Sequence, residues 1–249
     1  PYTTLFRSIE EFQIAGGDTL AQPAFIENDE LKKFNVILAN PPYSIKAWDR
    51  KSFETDPYGR NLWGTPPQGC ADYAFQQHIQ KSLNADNGRS CVLWPYGVLF
   101  RDSEKEMRQK MIEDDLVECV IALGKNLFYN SIMEACLLIT NNNKPSSRKG
   151  KILFIDAREE VKREKTISYL LPNHIDKIFK SYMDFETKEN FTYVATIKEV
   201  LKNESSLNIP LYVKNTNTDL IVNPNVAYSN WINSSVELKK SMNQLFEIL

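Results

Sequence analysis

The stretch that decides the fold is Asn35–Ser44, Asn-Val-Ile-Leu-Ala-Asn-Pro-Pro-Tyr-Ser. Its first half is a short apolar run, Val36, Ile37, Leu38 and Ala39. Such a run, aliphatic and β-branched and stopped by prolines, reads as a fully buried parallel strand. The second half cannot continue it. Pro41 and Pro42 have no N–H for a ladder, and each fixes its own φ. The chain therefore leaves the sheet as a stiff loop at the strand's carboxyl end, where open α/β sheets bind ligands.

The loop carries a specific chemistry. An exocyclic NH2 on a nucleobase is a poor nucleophile, because its lone pair is delocalised into the ring. The side-chain oxygen of Asn40 can accept one N–H of such a group. The carbonyl of Pro41, held still by Pro42, can accept the other. Two fixed acceptors return electron density to the nitrogen and aim it at an incoming methyl group, through positioning and preorganised dipoles. Tyr43 can stack on the face of the same base. The plainer reading is a strand-ending Pro-Pro turn with a surface tyrosine, and these four residues alone leave both open.

The tetrad Asn40–Tyr43 resembles motif IV of the amino-group DNA methyltransferases. Gly88–Phe100 (Gly-Arg-Ser-Cys-Val-Leu-Trp-Pro-Tyr-Gly-Val-Leu-Phe) resembles the segment that family places on its next strand. Leu116–Tyr129, containing Val-Ile-Ala-Leu-Gly-Lys-Asn-Leu-Phe-Tyr, is similar to the strand and aromatic loop that follow. Lys149–Ala157 and Leu207–Val213 are similar to later landmarks of one subgroup, the modification (M) subunits of type I restriction–modification systems. The resemblance runs in order from about Gly16 to about Val213.

What the resemblance implies is an α/β fold, a Rossmann-like methyltransferase sheet. The implied reaction moves a methyl group from S-adenosyl-L-methionine to the exocyclic N6 of adenine in double-stranded DNA. The implied catalytic residues are Asn40, Pro41, Pro42 and Tyr43. Asp18, Thr19 and Leu20, with Asn40, fall at the cofactor, and Asp18 is placed to accept a hydrogen bond from its adenine. Tyr43 and Phe128, the latter preferred to Tyr129, would hold the flipped base between them. The implied partners are a specificity (S) subunit, a second M subunit and a restriction (R) subunit, in the cytoplasm. No metal is implied, since a sulfonium methyl needs no Lewis acid. Asn130-Ser131-Ile132-Met133 departs from the small Gly- or Pro-containing turn usual in the aromatic loop.

The family's Gly-rich loop and its acidic ribose ligand do not occur upstream of Gly16, and Gly16-Gly17 does not open a helix. The expectation is a sheet lacking its first strands, in a chain that is incomplete and inactive alone. The predicted organisation is a ragged or non-native start at 1–8, a partial catalytic domain at 9–213, and a C-terminal arm with an amphipathic helix at 214–249.

Composition agrees with an ordinary globular chain of 249 residues, 42% hydrophobic and 25% charged. A net charge of −2 excludes an electrostatic DNA clamp along the whole chain. Phosphate contacts must then come from a local patch or a partner. The four cysteines form no C-x-x-C pair, and the three inside apolar strand-like runs read as reduced core thiols. No apolar run reaches membrane-spanning length.

Other elements follow from periodicity. Phe12–Ala15 reads as a strand before the Gly16-Gly17 turn. The long connection 44–71 has no regular pattern. It interleaves Trp48, Tyr58 and Trp63 with Lys46, Arg50, Lys51 and Arg60, which suits DNA contact or aromatics packed back on the core. A helix spans Asp72–Leu83, N-capped by Asp72, with Phe75, Ile79 and Leu83 buried and His78 solvated. Ser103–Glu106 has capping-box spacing, with Met107 and Met111 facing inward. Strands are predicted at Ser90–Trp94, Leu116–Leu123, Ile152–Ile155 and Phe191–Ile197. One more, at Glu134–Thr140, is placed antiparallel at the sheet edge. A helix at Asn173–Phe185, capped by Asn173, turns Ile175, Ile178, Phe179 and Tyr182 inward. Asn215–Asn233 reads as an irregular arm. Ser234–Glu237 then caps a terminal helix whose apolar face, Leu238, Met242, Leu245, Phe246 and Leu249, suits docking on another subunit or packing on its own domain.

Two other functions stay open at the level of sequence. One is methylation of a protein glutamine amide by the same tetrad. The other is a non-catalytic fragment acting as an assembly module.

Overall fold

The computed structural model describes residues 12–128, 133–165 and 167–214, with 228–229, 231–236 and 239. The strands are β1 (Ile26–Glu27), β2 (Glu30–Leu31), β3 (Val36–Ala39), β4 (Arg89–Pro95), β5 (Val117–Leu123), β6 (Ala135–Asn141), β7 (Lys151–Ala157), β8 (Lys162–Arg163), β9 (Ser168–Tyr169) and β10 (Thr192–Thr196). The helices are α1 (Arg50–Glu54), α2 (Asp72–Lys81), α3 (Lys105–Glu113), α4 (Pro172–Asp184) and α5 (Ile197–Lys202).

Six strands form one mixed sheet in the order β10-β7-β5-β6-β4-β3. β3 runs parallel to β4, and β5 parallel to β7. β6 is antiparallel to both β4 and β5, and β10 to β7. The carboxyl ends of β3, β4, β5 and β7 therefore share one edge, and β6 starts from that same edge. Side chains alternate across the sheet. Val120 and Ala122 of β5 face one core, and Cys119, Ile121 and Leu123 the other. The first core is closed by Tyr73, Phe75 and Ile79 of α2 and Met107, Met111 and Ile112 of α3. The second is covered by Ile178 and Tyr182 of α4. The result is an α/β fold of three layers.

β3 is parallel, as its sequence predicts, but it is not buried. It is the last strand of the sheet among the described residues, with Val36 59% and Leu38 78% exposed. An apolar run reads the same whether one or both of its neighbours are present. β6 is antiparallel as anticipated, yet it sits inside the sheet rather than at its edge. The link Gly124–Glu134 is shorter than the dozen or more residues a parallel crossover needs, so β6 turns straight back beside β5.

Several local readings are replaced by tertiary contacts. Phe12–Ala15 forms no strand and is exposed. The connection 44–71 contains α1, capped by Asp49 Oδ1, which accepts the Ser52 N–H at 3.0 Å. Trp48, Phe53 and Trp63 face inward. Trp63 is buried and donates its indole N–H to Asp114 at 3.0 Å, and Trp48 packs on the first core. Arg60 is buried against Asp56 at 2.5 Å. These residues are spent on packing, which leaves Lys46 and Lys51 as the exposed cations of the segment.

Asp72 does not cap α2. Ala71 is the N-cap, and the Asp72 side chain turns away from its own helix. Ser103 forms no capping box either, because Asp102–Glu104 is a 3-10 turn that ends where α3 starts. Met107 and Met111 are buried as their spacing predicts. α4 starts at Pro172, not from an Asn173 cap. It half-buries Ile178 and Tyr182 against the second core but leaves Ile175 and Phe179 exposed. His78 is half-buried rather than solvated, with Nδ1 3.5 Å from Arg60.

The chain divides into two compact units, Pro1–Val213 and Lys214–Leu249. In the second, residues 228–229, 231–236 and 239 are helical, so the predicted arm is not irregular throughout. Ser234 to Val236 lie within helix instead of capping one, and Ser235 Oγ donates to the Trp231 carbonyl at 2.8 Å. The apolar spacing of Tyr228, Trp231 and Ile232 accounts for the earlier start. The predicted docking face, Leu238, Met242, Leu245, Phe246 and Leu249, lies outside the described residues.

Candidate active site

The shared strand edge forms a cleft of about 450 Å3, lined by Asn40, Pro41, Pro42, Tyr43, Pro95, Phe128, Met133, Glu134 and Ala135. Three elements build it. The proline-stiffened loop after β3 supplies the tetrad, Pro95 ends β4, and the β5–β6 link with the first residue of β6 supplies the rest. A volume in this range is typical of small-ligand sites.

Within the tetrad the Tyr43 hydroxyl donates to Asn40 Oδ1 at 2.9 Å. The bond leaves the Asn40 oxygen a second lone pair. Asn40 is exposed to the cleft and Pro41 is buried. Burial raises the Tyr43 hydroxyl above the usual phenol range. Tyr43 and Phe128 rest on the same apolar cluster, which includes Leu93, Cys119 and Ile121. The aromatic walls of the cleft thus have a common rigid base. Tyr129 lies outside the described residues.

The loop bearing Phe128 is braced from behind. Asn126 has φ +59°, and its carbonyl accepts the Ser168 N–H of β9 at 2.8 Å. Gly124 sits where a Cβ would meet Val161 Cγ1 at 2.6 Å and the Arg158 carbonyl at 2.8 Å. Lys125 pairs with Glu134 across the link at 3.4 Å.

Asp18, Thr19 and Leu20 are not among the residues lining this cleft. Asp18 Oδ1 caps its own turn, accepting the Leu20 N–H at 2.9 Å and the Ala21 N–H at 3.1 Å. Arg60 ties the turn down through the carbonyls of Thr19 (3.0 Å) and Leu20 (2.8 Å). Thr19 instead lines a second cavity of about 340 Å3 along β3, with Gly16, Gly17, Phe34, Leu38 and His78. A Cβ at Gly16 or Gly17 would meet nothing within 4 Å, so the backbone there is open to a ligand. Asp18 and Leu20 do not line the cavity, and Leu20 is buried in the first core, so of the expected cofactor residues Thr19 alone faces this cavity, whose apolar walls suit a flat purine.

Sequence reasoning missed Pro95 and Glu134 as cleft residues, and it misassigned Asp72. Asp72 gave a misleading signal, since an acid before an apolar repeat reads as a helix cap. Pro95 and Glu134 enter only because β6 returns beside β4.

The comparisons bear on this geometry. Residues 4–219 match the family described as N-6 DNA Methylase. This chain belongs to that family. It is 32% identical to the type I restriction enzyme MjaVIII methylase subunit of Methanocaldococcus jannaschii, over 96% of this chain and 42% of the relative. It is 34% identical to the HindI methylase subunit of Haemophilus influenzae, over 82% of this chain and 46% of the relative. A type I restriction-modification methyltransferase subunit from Streptococcus thermophilus superposes with a TM-score of 0.72 at 32% identity. That match covers 79% of this chain and 41% of the other. The EcoKI M protein shares the fold at a TM-score of 0.54 and 16% identity. The chain thus spans under half the length of these methylase relatives. Membership and these similarities place the chain among sequences related to type I methylase subunits. Among the described residues, no helix is long and apolar enough to cross a membrane.

Proposed function

We propose that this protein transfers a methyl group from S-adenosyl-L-methionine to the exocyclic N6 of adenine in double-stranded DNA. We place it as the M subunit of a cytoplasmic type I complex with an S subunit, a second M subunit and an R subunit. One observation carries the reading: the cleft holds Asn40, Pro41 and Tyr43 together with Phe128 at the strand ends.

The roles follow from the chemistry of each group. Asn40 Oδ1 and the Pro41 carbonyl accept the two amino hydrogens of the target base. They are aligned before reaction, so they favour the positive charge that grows on the nitrogen without reorganising. Tyr43 holds Asn40 in that orientation and offers its ring to the base. Phe128 closes on the opposite face. Extruding a base from a duplex costs a few kcal/mol, and stacking on aromatic faces offsets it at roughly 1–3 kcal/mol each. The cofactor, when bound, supplies a methyl group activated on a sulfonium. Asp18, Thr19, Leu20 and Asn40 are the residues that would hold it.

Asn40→Ala tests the assignment. In the full-length protein it is expected to lower methyl transfer to an unmethylated duplex by at least about 100-fold, the scale of losing a preorganised polar group. Cofactor binding, followed by calorimetry, is expected to weaken through the lost Asn40 contact but to persist through the residues that remain. Turnover within tenfold of the parent would remove Asn40 from its role. A protein glutamine acceptor run alongside separates nucleic acid from protein as the substrate.

A further inference from the structure

We propose that Asp72 and Arg101 are positioning residues that lock the Asn40–Tyr43 loop in its working shape. The inference rests on the methylation reading above and deepens it.

The residue after the tetrad, Ser44, has φ +50°, in the left-handed region that a non-glycine residue adopts only when held there. What holds it is a side chain from a distant element. Asp72, fully buried at the start of α2, accepts the Ser44 backbone N–H on Oδ1 at 2.6 Å. Its other oxygen pairs with Arg101 and lies 3.5 Å from Ser44 Oγ. Arg101 reaches the same residue, donating to Ser44 Oγ at 3.3 Å, and it pairs with Glu104 at 2.8 Å. Cys70 fills the remaining space, its thiol 3.2 Å from Asp72 and 3.4 Å from Glu104. Asp72 therefore forgoes capping its helix and serves the loop instead.

The consequence is mechanical. A residue in the left-handed region redirects the chain immediately after Tyr43, and a fixed Ser44 N–H sets the plane of the Tyr43–Ser44 peptide. The prolines stiffen the loop from its other side. Between two fixed ends, Asn40 and Tyr43 keep the geometry that lets one bond orient the other. A charge-assisted bond to a buried carboxylate is the stronger kind of backbone anchor. Arg101 pairs with that carboxylate and holds it in one rotamer.

The test compares Asp72→Ala and Arg101→Gln with Asp115→Asn in the full-length protein. Asp115 pairs with the buried Lys144 at 2.6 Å, so its substitution weakens the fold without touching the loop. Hydrogen exchange of the Ser44 amide reports the anchor directly and needs no activity. Both loop variants are expected to speed that exchange at least about tenfold, and Asp115→Asn to leave it within about threefold. Methyl transfer to duplex DNA is expected to fall roughly 30- to 100-fold in kcat for Asp72→Ala, the scale of a 1 Å misplacement. The KM for the cofactor should move less than about threefold. Arg101, partly exposed, is the variant to read if Asp72→Ala does not fold. Unchanged Ser44 exchange in Arg101→Gln overturns the proposal, as does equal acceleration in Asp115→Asn. If the parent methylates no DNA, the methylation reading falls, while the exchange data still decide whether Asp72 and Arg101 hold the loop.

Discussion

Truncating Phe128 to alanine isolates one wall of the cleft. The ring is half-buried, resting on the cluster that includes Leu93 and Ile121. Its removal should cost the fold less than the about 3–5 kcal/mol of a fully buried Phe→Ala change. What the variant loses on the substrate side is one stacking face, worth roughly 1–3 kcal/mol per base. At about 1.4 kcal/mol per tenfold, that is a fall of about 5- to 150-fold in kcat/KM for duplex DNA. Cofactor affinity should stay within about twofold, because Phe128 lies apart from the Gly16–Thr19 cavity. The assay pairs radiolabelled methyl transfer with fluorescence of a 2-aminopurine placed at the target adenine. The base should flip less completely as kcat/KM falls. A folded variant with kcat/KM within twofold of the parent would refute stacking on Phe128.

Two further outcomes concern stability. Burial, then the charge of Arg60, pushes His78 down to about 4 from its ordinary 6.5. The unfolded chain therefore binds the proton first, so this contribution is complete above pH 6.5 and is lost as pH falls toward 4. It amounts to up to about 3 kcal/mol, and His78→Gln should show that much less loss of unfolding free energy between pH 7 and 4. Equal acid sensitivity of parent and variant would contradict the neutral half-buried imidazole. Gly124→Ala forces a Cβ against Val161 and the Arg158 carbonyl. It should cost about 1–3 kcal/mol, lowering the melting temperature by roughly 2–12 °C and loosening the Phe128 loop; an unshifted melt would count against that crowding.

Much of this protein was legible in one dimension. The buried strands β4, β5 and β7 announce themselves as apolar runs bounded by Gly, Pro or charged residues, because a strand covered on both faces has no polar side to show. Helix α2 was readable from Phe75, Ile79 and Leu83. The reading failed where a side chain had a choice of partners. Asp72 looks like a cap, yet its carboxylate goes to Ser44 and Arg101. Arg60 and Trp63 look like a nucleic-acid surface and are buried instead. A basic or aromatic residue in a loop has the same letters whether it faces solvent or core.

The sequence by itself determined the chemistry of the tetrad. Asn40 and Pro41 offer two acceptors, and two prolines guarantee a stiff exit from the strand, since both effects are local and covalent. Only the tertiary structure decided what faces that tetrad. Phe128 stands across the cleft because β6 runs antiparallel between β4 and β5 and brings the β5–β6 link back to the end of β3. The anchoring of Ser44 by Asp72, 28 positions away along the chain, likewise exists only once α2 has packed on the sheet. Strand order and buried ion pairs depend on contacts between residues far apart in sequence, which no local pattern encodes.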